Sequence, residues 1–408
     1  MPKILITGNG FDLHHSLPTT YSDFMNIIEY LIKNKKDEYN FNEIYQNVSN
    51  YTGIIENFKE FEYDDDKIIK LQILGHKNLL YRFFQNEYKL ETWIDFESKI
   101  ELIINSIVLG IELIRDNIFK VAKYPLSGTV TTNYKSLNNN VLIPDIFCFF
   151  EILNKTASHG TFIINDKFLL KRNDYYIDID SHKIFSQLFS QLMEFKVIFN
   201  LYLLTFVKPL INKAKNKDTF TNFFNSIDYH YTFNYTNTFE KLLYNNTVKT
   251  EYLHGRCDEE NENIVFGIND VNFNDAFYSE YLKFTKYYQK LNGNTDYYFL
   301  NTIGNISHYE KLIFIFWGHS LDQSDSSYIN EVFDLITESK SDVKKIIIIY
   351  HNESTRSRMI LNLLNIRGRQ DIETKMRAKD LVFHTLYSQE INNIINLSTS
   401  SFPITNLL

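Results

Sequence analysis

The chain has 408 residues, a formal charge of −8 and 23% charged residues. This length predicts one large domain or two packed domains, and the composition is typical of a folded globular protein. The acidic balance, without a long stripe of Lys and Arg, makes nucleic acid an unfavoured partner. Two cysteines, Cys148 and Cys257, are too few for a disulfide framework or a four-cysteine zinc site. We therefore expect no metal.

The N-terminal sequence MPKILITGNG lacks the basic and apolar regions of a signal peptide. The longest apolar stretches, such as residues 197–207, are well short of the roughly 20 residues that span a membrane. The sequence therefore predicts a cytoplasmic protein that makes no membrane contact.

The first element is the apolar run 3–6, which is followed by Thr7-Gly8-Asn9-Gly10 and predicts a buried parallel strand that ends in a tight turn. From residue 21 to about 225 the apolar residues recur mostly at helical spacing. Such spacing is shown by Phe24, Ile27, Ile28 and Leu31, by Ile100, Ile103, Ile104, Ile107 and Ile111, and by residues 181–215. Residues 125–180 are irregular and give no assignment.

After residue 225 short apolar runs alternate with helical patterns, which predicts an α/β fold. Strands are predicted at 229–233, 251–253, 264–266, 312–316, 345–350 and 381–383. The simplest architecture joins residues 1–20 and 226–390 around one mostly parallel sheet. Residues 21–225 then form a mainly helical insertion, and residues 391–408 form a tail.

Polar residues and glycines follow several of these strands, where open α/β sheets bind ligands. Gly8 and Gly10 would let the backbone approach a phosphate, although an ordinary tight turn explains the pair equally well. Asn234 follows another strand, and a helix cap is an even alternative for it. His254, beside Gly255, could act as a base near neutral pH, although a structural role is more common for any single histidine.

Taken together, the residues that follow the strands are stronger evidence for a ligand site than any one of them. Of 13 glycines, five (Gly8, Gly10, Gly255, Gly267 and Gly318) fall at or just beyond predicted strands. A phosphate-bearing ligand that lies across several strand ends would require this arrangement. Ser320 would then donate a hydrogen bond, and Asp322 or Asp325 would accept one from a ribose hydroxyl, with a helix cap as the default alternative for Asp325.

These segments resemble the AbiH abortive-infection family of phage-defence proteins. The resemblance is carried by Gly8-Asn9-Gly10-Phe11-Asp12, Leu17-Pro18-Thr19-Thr20-Tyr21, Trp93-Ile94-Asp95-Phe96-Glu97, Phe233-Asn234-Tyr235-Thr236, Leu253-His254-Gly255 and Gly318-His319-Ser320-Leu321-Asp322. The same elements look like a diverged sirtuin-type, Rossmann-like NAD-binding domain.

The sirtuin-like resemblance implies NAD as the substrate and Asn234 and His254 as the catalytic residues. The residues that it implies, together with the strand-end pattern, for contact with NAD are Gly8, Asn9, Gly10, Phe11, Asp12, Thr19, Thr236, Gly255, Gly267, Gly318, His319, Ser320, Asp322 and Asp325. Two departures stand out: Thr236 replaces the usual sirtuin Asp, and the cysteines of the zinc module are missing. The resemblance therefore implies NAD hydrolysis rather than protein deacylation.

Two other functions fit the same sequence: a module that senses NAD or ADP-ribose and signals to a partner, and a nuclease-type toxin. A free NAD hydrolase would harm its host, so we expect control by homo-oligomerisation or by a regulatory protein. Trp93, Asp95 and Glu97 receive no role from the sequence.

Overall fold

A computed structural model describes residues 2–36, 39–58, 63–87, 93–213, 221–242, 248–259, 263–268, 277–293, 299–300 and 311–391. The predicted tail therefore lies almost wholly outside the described residues. The strands are β1 (Lys3–Thr7), β2 (Tyr124–Pro125), β3 (Thr131–Asn133), β4 (Leu153–Lys155), β5 (Thr161–Ile164), β6 (Leu169–Arg172), β7 (Tyr175–Ile179), β8 (Tyr229–Thr232), β9 (Thr250–Tyr252), β10 (Lys311–Trp317), β11 (Val343–Tyr350) and β12 (Leu381–Thr385).

The α-helices lie between these strands along the chain. They are α1 (Asn9–His14), α2 (Tyr21–Lys33), α3 (Phe41–Tyr45), α4 (Tyr51–Asn57), α5 (Asp65–Lys77), α6 (Leu79–Glu87), α7 (Trp93–Ile114), α8 (Leu142–Phe149), α9 (Ser181–Tyr202), α10 (Lys208–Lys213), α11 (Thr221–Asn225), α12 (Thr238–Leu242), α13 (Tyr278–Leu282), α14 (Lys286–Gly293), α15 (Ser326–Glu338) and α16 (Glu353–Arg377). Among the described residues no helix is long and apolar enough to cross a membrane.

The central element is a six-stranded, all-parallel sheet with the strand order β12-β11-β10-β1-β8-β9. Its middle strands are apolar on both faces, as expected for a sheet covered on two sides; Ile4, Leu5 and Ile6 are 0–1% exposed. The α/β class and the parallel sheet are confirmed. Six predicted strands are observed within two residues of their predicted ends.

The chain adds strands to β1 in two directions. β8 and then β9 extend the sheet on one side, whereas β10, β11 and β12 extend it on the other. Because all six strands are parallel, the carboxyl ends of β1, β8 and β10 lie together at one edge. The loops that carry the predicted site residues therefore start from neighbouring strands.

The predicted strand at 264–266 is wrong. Residues 263–267 form no ladder, and only Ile268 makes an isolated parallel bridge to Thr285. The run is apolar because Ile264 and Phe266 are buried among the helices of the 21–225 segment. Burial by helices and burial in a sheet leave the same apolar signal in so short a run.

The 21–225 segment is mainly helical, as predicted. The apolar residues predicted for α2 and α7 lie in its core, and α9 continues through a π-helical turn, Leu203–Val207, into α10. Residues 125–180, which gave no assignment, contain two small antiparallel sheets with the orders β2-β7-β6 and β3-β5-β4. Their strands have only two to five residues, too few to show a clear alternation. The division into domains stays a prediction.

Candidate functional site

The loop after β1 packs directly against the turn after β10. The Gly8 N–H donates to the Trp317 carbonyl at 3.1 Å, and the Gly10 N–H donates to the Gly318 carbonyl at 2.8 Å. A Cβ atom on Gly8 would lie 2.7 Å from Cα of His319, and one on Gly10 would lie 2.8 Å from Cα of Gly318. Gly318 itself has a φ of 72°, which favours glycine. These glycines allow two backbones to touch.

This contact supplies an intramolecular reason for Gly8, Gly10 and Gly318. The amides of Gly8 and Gly10 already donate within the chain, and the Phe11 N–H donates to the Gly8 carbonyl at 2.8 Å. The predicted contact of this loop with a diphosphate stays a prediction, since the close approach observed is to protein. Gly267 also meets protein backbone, because a Cβ atom there would lie 2.5 Å from the Phe284 carbonyl.

A buried polar pocket, the Asp12 pocket, lies beside this loop and comprises Asp12, Asn234, Thr236 and Thr238. The Thr236 hydroxyl donates to Asp12 Oδ2 at 2.5 Å, and the Thr238 hydroxyl donates to Thr236 at 3.1 Å. Asn234 Nδ2 donates to the Gly8 carbonyl at 3.0 Å, so this side chain ties the end of β8 to the loop after β1. The alternative expectation, that the Asn234 side chain caps a helix, does not match this contact.

Asp12 is 1% exposed, and its Oδ1 atom has no hydrogen-bond partner. Burial raises the pKa of Asp12 to about 6, although hydrogen bonds from Thr236, Thr238 and Asn234 act to lower it. The carboxyl group therefore changes charge close to physiological pH.

Below the Asp12 pocket, side chains of three strands form a hydrogen-bonded chain. The Thr7 hydroxyl donates to Thr232 at 2.8 Å and lies 3.0 Å from His230 Nε2, while His230 Nδ1 lies 3.0 Å from the Thr250 hydroxyl. Since the Thr7 proton is directed to Thr232, His230 carries its proton on Nε2 and accepts from Thr250. Burial lowers the pKa of His230 to about 3, so this imidazole is neutral and structural.

On the other side of the loop lies the Asp325 cluster, formed by Glu97, His254, Lys286, His319 and Asp325. Asp325 Oδ2 lies 3.3 Å from His319 Nε2, and Asp325 Oδ1 lies 3.1 Å from His254 Nε2. His319 Nδ1 accepts the Leu321 N–H at 2.9 Å, so the proton of this ring is on Nε2 and faces the carboxylate.

The His254 contact differs from that of His319. Although His254 Nε2 and Asp325 Oδ1 are within ion-pair distance, neither atom has an aligned hydrogen-bond partner. His254 and Asp325 are each 7% exposed. Two buried polar atoms thus face each other in a geometry that leaves their hydrogen-bonding capacity unfilled.

Lys286, at the start of α14, links Asp325 to α7. Its Nζ atom lies 2.9 Å from Glu97 Oε2 and 3.7 Å from Asp325 Oδ1. Burial acts to raise the pKa of Asp325, but Lys286 and then His254 hold it well below its ordinary value of 3.8. Burial lowers the pKa of His254 to about 4 against the opposing effect of Asp325. Asp325 is therefore ionised and His254 neutral at pH 7.

The two groups meet at the carboxyl ends of β1, β8 and β10. The Phe233 ring lies 5.0 Å from the His254 ring and 4.3 Å from the His319 ring, measured between centroids. The next residue, Asn234, contacts Gly8, whose neighbour across the loops is His319. The residues predicted around one ligand thus converge in space.

Several predicted site residues make contacts other than those expected of them. Ser320 is exposed, and its carbonyl accepts from Asn362; Asp322 accepts the Ser324 N–H and so caps the turn before α15. Phe11 is 1% exposed and packs on the Trp317 ring. Asp325 occupies the N-cap position of α15 but makes no side-chain cap bond, so the default expectation of a helix cap is wrong.

The remaining predicted residues surround the same loops. Thr19 is buried and precedes Thr20, which caps α2. Asn9 is half-buried at the start of α1. Gly255 has a φ of 80°, and a Cβ atom there would lie 2.0 Å from the Asn263 carbonyl. Gly255 is therefore required by the path of the chain itself.

Sequence reasoning missed Lys286 and gave Glu97 no role. Lys286 lies between Lys283 and Lys290, which together look like an ordinary solvated face, and only the fold shows that Lys286 is 5% exposed. Glu97 had a signal, because it belongs to a segment that carries the AbiH resemblance. The side chains of Trp93 and Asp95 lie outside the described residues.

A small surface cleft of about 70 Å³ adjoins the Asp12 pocket at Thr236. Its lining also includes Lys208, which lies 3.5 Å from the exposed carboxylate of Glu259, and Arg256, which lies 3.8 Å from the half-buried carboxylate of Glu240. Exposed ion pairs of this kind are weak, so both cations remain accessible to an anionic ligand. Among the described residues no group of His, Cys, Asp and Glu is arranged to hold a metal ion.

A comparison with protein-family models matches residues 4–346 to the family described as Bacteriophage abortive infection AbiH. The chain belongs to the AbiH family. The family implies a role in abortive infection, the defence in which an infected bacterial cell limits phage multiplication. No significant match is found among curated proteins or among solved structures.

The raised pKa of Asp12 predicts a dependence of stability on pH. The pKa of Asp12 in the folded protein, about 6, exceeds the ordinary value of 3.8. The contribution of this carboxyl to the free energy of unfolding is therefore fully present below pH 3.8 and is lost as the pH rises through 6. We expect Asp12→Asn to gain up to about 3 kcal/mol relative to wild type between pH 4 and pH 7.5. Urea unfolding across this range tests it; a difference that is constant with pH would contradict it.

The Asp325 cluster predicts a marked effect of Lys286→Met. Removal of the ammonium leaves two buried carboxylates without their cation, which costs about 3–5 kcal/mol of unfolding free energy. Lys286→Met with Glu97→Gln should recover part of this loss. Lys120→Met, which breaks an exposed pair with Asp116, is the matched control and should change stability little. Equal losses of unfolding free energy in Lys286→Met and Lys120→Met would refute the role of Lys286.

Proposed function

We propose that this AbiH protein acts in phage defence by hydrolysing NAD⁺ to nicotinamide and ADP-ribose, which depletes the cell of NAD. The observation that carries the proposal is the convergence of His254, Asp325, Asn234 and the loop after β1 at the carboxyl edge of one parallel sheet. Open parallel sheets bind nucleotides at this edge.

The strand order supports a dinucleotide as the ligand. Counted from β9, the sheet contains the third, second, first, fourth, fifth and sixth of its strands in chain order. This order is shared by Rossmann-type sheets, which bind dinucleotides where the direction of strand addition changes. Here the change falls between β1 and β10, the two strands whose loops carry Gly8 and His319.

The charges of the Asp325 cluster support cleavage of the nicotinamide bond. With both imidazoles neutral, and above about pH 7 where Glu97 is mostly ionised, Glu97 and Asp325 outnumber Lys286 by one negative charge. Cleavage places positive charge on the ribose ring while nicotinamide leaves as a neutral molecule. A fixed negative charge in a dry site stabilises such a transition state.

In the proposed reaction the bond between ribose C1′ and the pyridinium nitrogen breaks, and its electron pair stays with nicotinamide. The oxygen of a water molecule then bonds to C1′, and the proton of that water passes to His254 and on to solvent. His254 is neutral at pH 7 and so can accept this proton, but burial lowers its pKa to about 4 and makes it a weak base. Asp325, facing Nε2, would stabilise the protonated ring.

Asn234 takes a different part from the catalytic one that the sirtuin-like resemblance implies. Its carboxamide nitrogen is used by the Gly8 carbonyl, so we assign it the task of holding the loop after β1 against β8. The cleft beside Thr236 offers Arg256 and Lys208 to the diphosphate. In this assignment charged side chains, rather than the glycine amides, neutralise the phosphates.

The catalytic assignment predicts that His254→Ala suppresses NAD⁺ cleavage by about 10² to 10⁴, the usual contribution of a general base. His159→Ala, at an exposed position, is the control and should retain activity. Nicotinamide release measured on purified variants of equal thermal stability tests this. Near-normal turnover of His254→Ala would remove the imidazole from the mechanism.

The placement of the diphosphate predicts that Arg256→Ala weakens NAD⁺ binding. A hydrogen bond to a charged group contributes about 1.5–3 kcal/mol, so the dissociation constant should rise roughly 10- to 100-fold. Calorimetry with ADP-ribose measures binding without turnover, and Arg358→Ala at an exposed site of α16 is the control. Affinity that both variants leave unchanged would place the diphosphate elsewhere.

One observation favours the second function, an NAD-sensing or ADP-ribose-sensing module. His254, His319 and Asp325 are only 4–7% exposed, and Glu97 connects them to α7 in the helical segment. Ligand binding that displaced the Glu97–Lys286 pair would transmit a signal to that segment. Nicotinamide release under conditions in which binding is shown separates catalysis from sensing.

A further inference from the structure

Glu97 reaches the strand-end cluster from outside the sheet. It lies near the start of α7, and its side chain is 17% exposed. Its carboxylate binds Lys286, whose side chain is 7% exposed and belongs to α14. A carboxylate held at this depth requires compensation, and Lys286 is the cation that provides it.

Lys286 cannot serve two carboxylates equally. Its Nζ atom is 2.9 Å from Glu97 Oε2 but 3.7 Å from Asp325 Oδ1, so the ammonium is drawn toward α7. Lys286 therefore compensates the negative charge of Asp325 only in part, and this charge also acts on the imidazoles of His254 and His319 beside it. The charged groups that act on Glu97 are Lys286, Asp325 and Asp322.

We propose that Glu97 is a positioning residue of this site, which holds Lys286 away from Asp325 so that the Asp325 carboxylate remains available to His254. The inference rests on the proposed function and deepens it. Protonation of Glu97 would release Lys286 toward Asp325, and the negative charge that faces His254 would fall. Glu97 would then set how well His254 accepts a proton.

The arrangement of Glu97, Lys286 and Asp325 should respond to pH in the physiological range. Burial raises the pKa of Glu97 to about 7, although Lys286 acts to lower it and Asp325 acts to raise it. A carboxyl with this pKa is mostly ionised at pH 8 and mostly protonated at pH 6. The active arrangement, with Glu97 ionised, is therefore lost as the pH falls through 7.

The first test follows His254 by NMR in protein labelled with ¹⁵N-histidine, and the His254→Ala spectrum supplies the assignment. In wild type the ring nitrogens of His254 should shift with a midpoint near pH 7, because they sense the ionisation of Glu97. Glu97→Gln should abolish this transition, and Glu97→Asp should retain one. The control Glu353→Gln, which removes an exposed carboxylate of α16, should leave it unchanged.

The second test measures NAD⁺ cleavage by the same proteins. From pH 8 to pH 6 the ionised fraction of Glu97 falls about tenfold, so the wild-type kcat should fall about tenfold. Glu97→Gln should show a flat profile, with a kcat about tenfold below wild type at pH 8 and little change in KM. A purely structural role would lower stability without flattening the profile.

The two tests separate this inference from the proposed function. If the His254 transition persists in Glu97→Gln, or is absent from wild type, the inference is wrong whatever the enzyme does. If the transition depends on Glu97 but wild type leaves NAD⁺ intact, the coupling stands and NAD hydrolysis is wrong. The wild-type and Glu97→Asp titrations decide the matter even if Glu97→Gln does not fold.

Discussion

The burial of one carboxylate, that of Asp325, organises the site. An ionised group at this depth is stable only with compensation, and here it has His254, His319 and Lys286 around it. These partners come from the ends of β9 and β10 and from α14, and Lys286 brings Glu97 from α7. The electrostatic requirement of one residue thus connects the parallel sheet to the helical segment that interrupts it.

The second constraint is the contact between the loops after β1 and β10. Gly8, Gly10 and Gly318 allow these backbones to touch, which brings His319 beside the loop that Asn234 holds. The same contact separates the Asp12 pocket from the Asp325 cluster. The Asp12 pocket therefore combines one carboxyl with hydroxyl and amide groups, whereas the Asp325 cluster is built from ionisable groups.

The sheet was predictable because parallel strands are buried on both faces, so each β-branched or aromatic run, such as that of β11, stands out. The strand predicted at 264–266 was wrong because helices bury apolar residues as well as sheets do. The position of His254 at the strand-end edge could be predicted from its place after a strand. That of Lys286 could not, since its burial depends on contacts with Glu97 and Asp325, which lie far away in the sequence. The glycines that follow the strands could be located from the sequence, but their contacts with protein backbone could not.

The central claim is that this AbiH protein cleaves NAD⁺ at the Asp325 cluster. The most direct measurement incubates the protein, purified from uninfected and from phage-infected cells, with NAD⁺ in ¹⁸O-labelled water and analyses the products by mass spectrometry. We expect equal amounts of nicotinamide and ADP-ribose, with one ¹⁸O atom in the ADP-ribose. NAD⁺ that remains intact with both preparations, under conditions in which it binds, would contradict it.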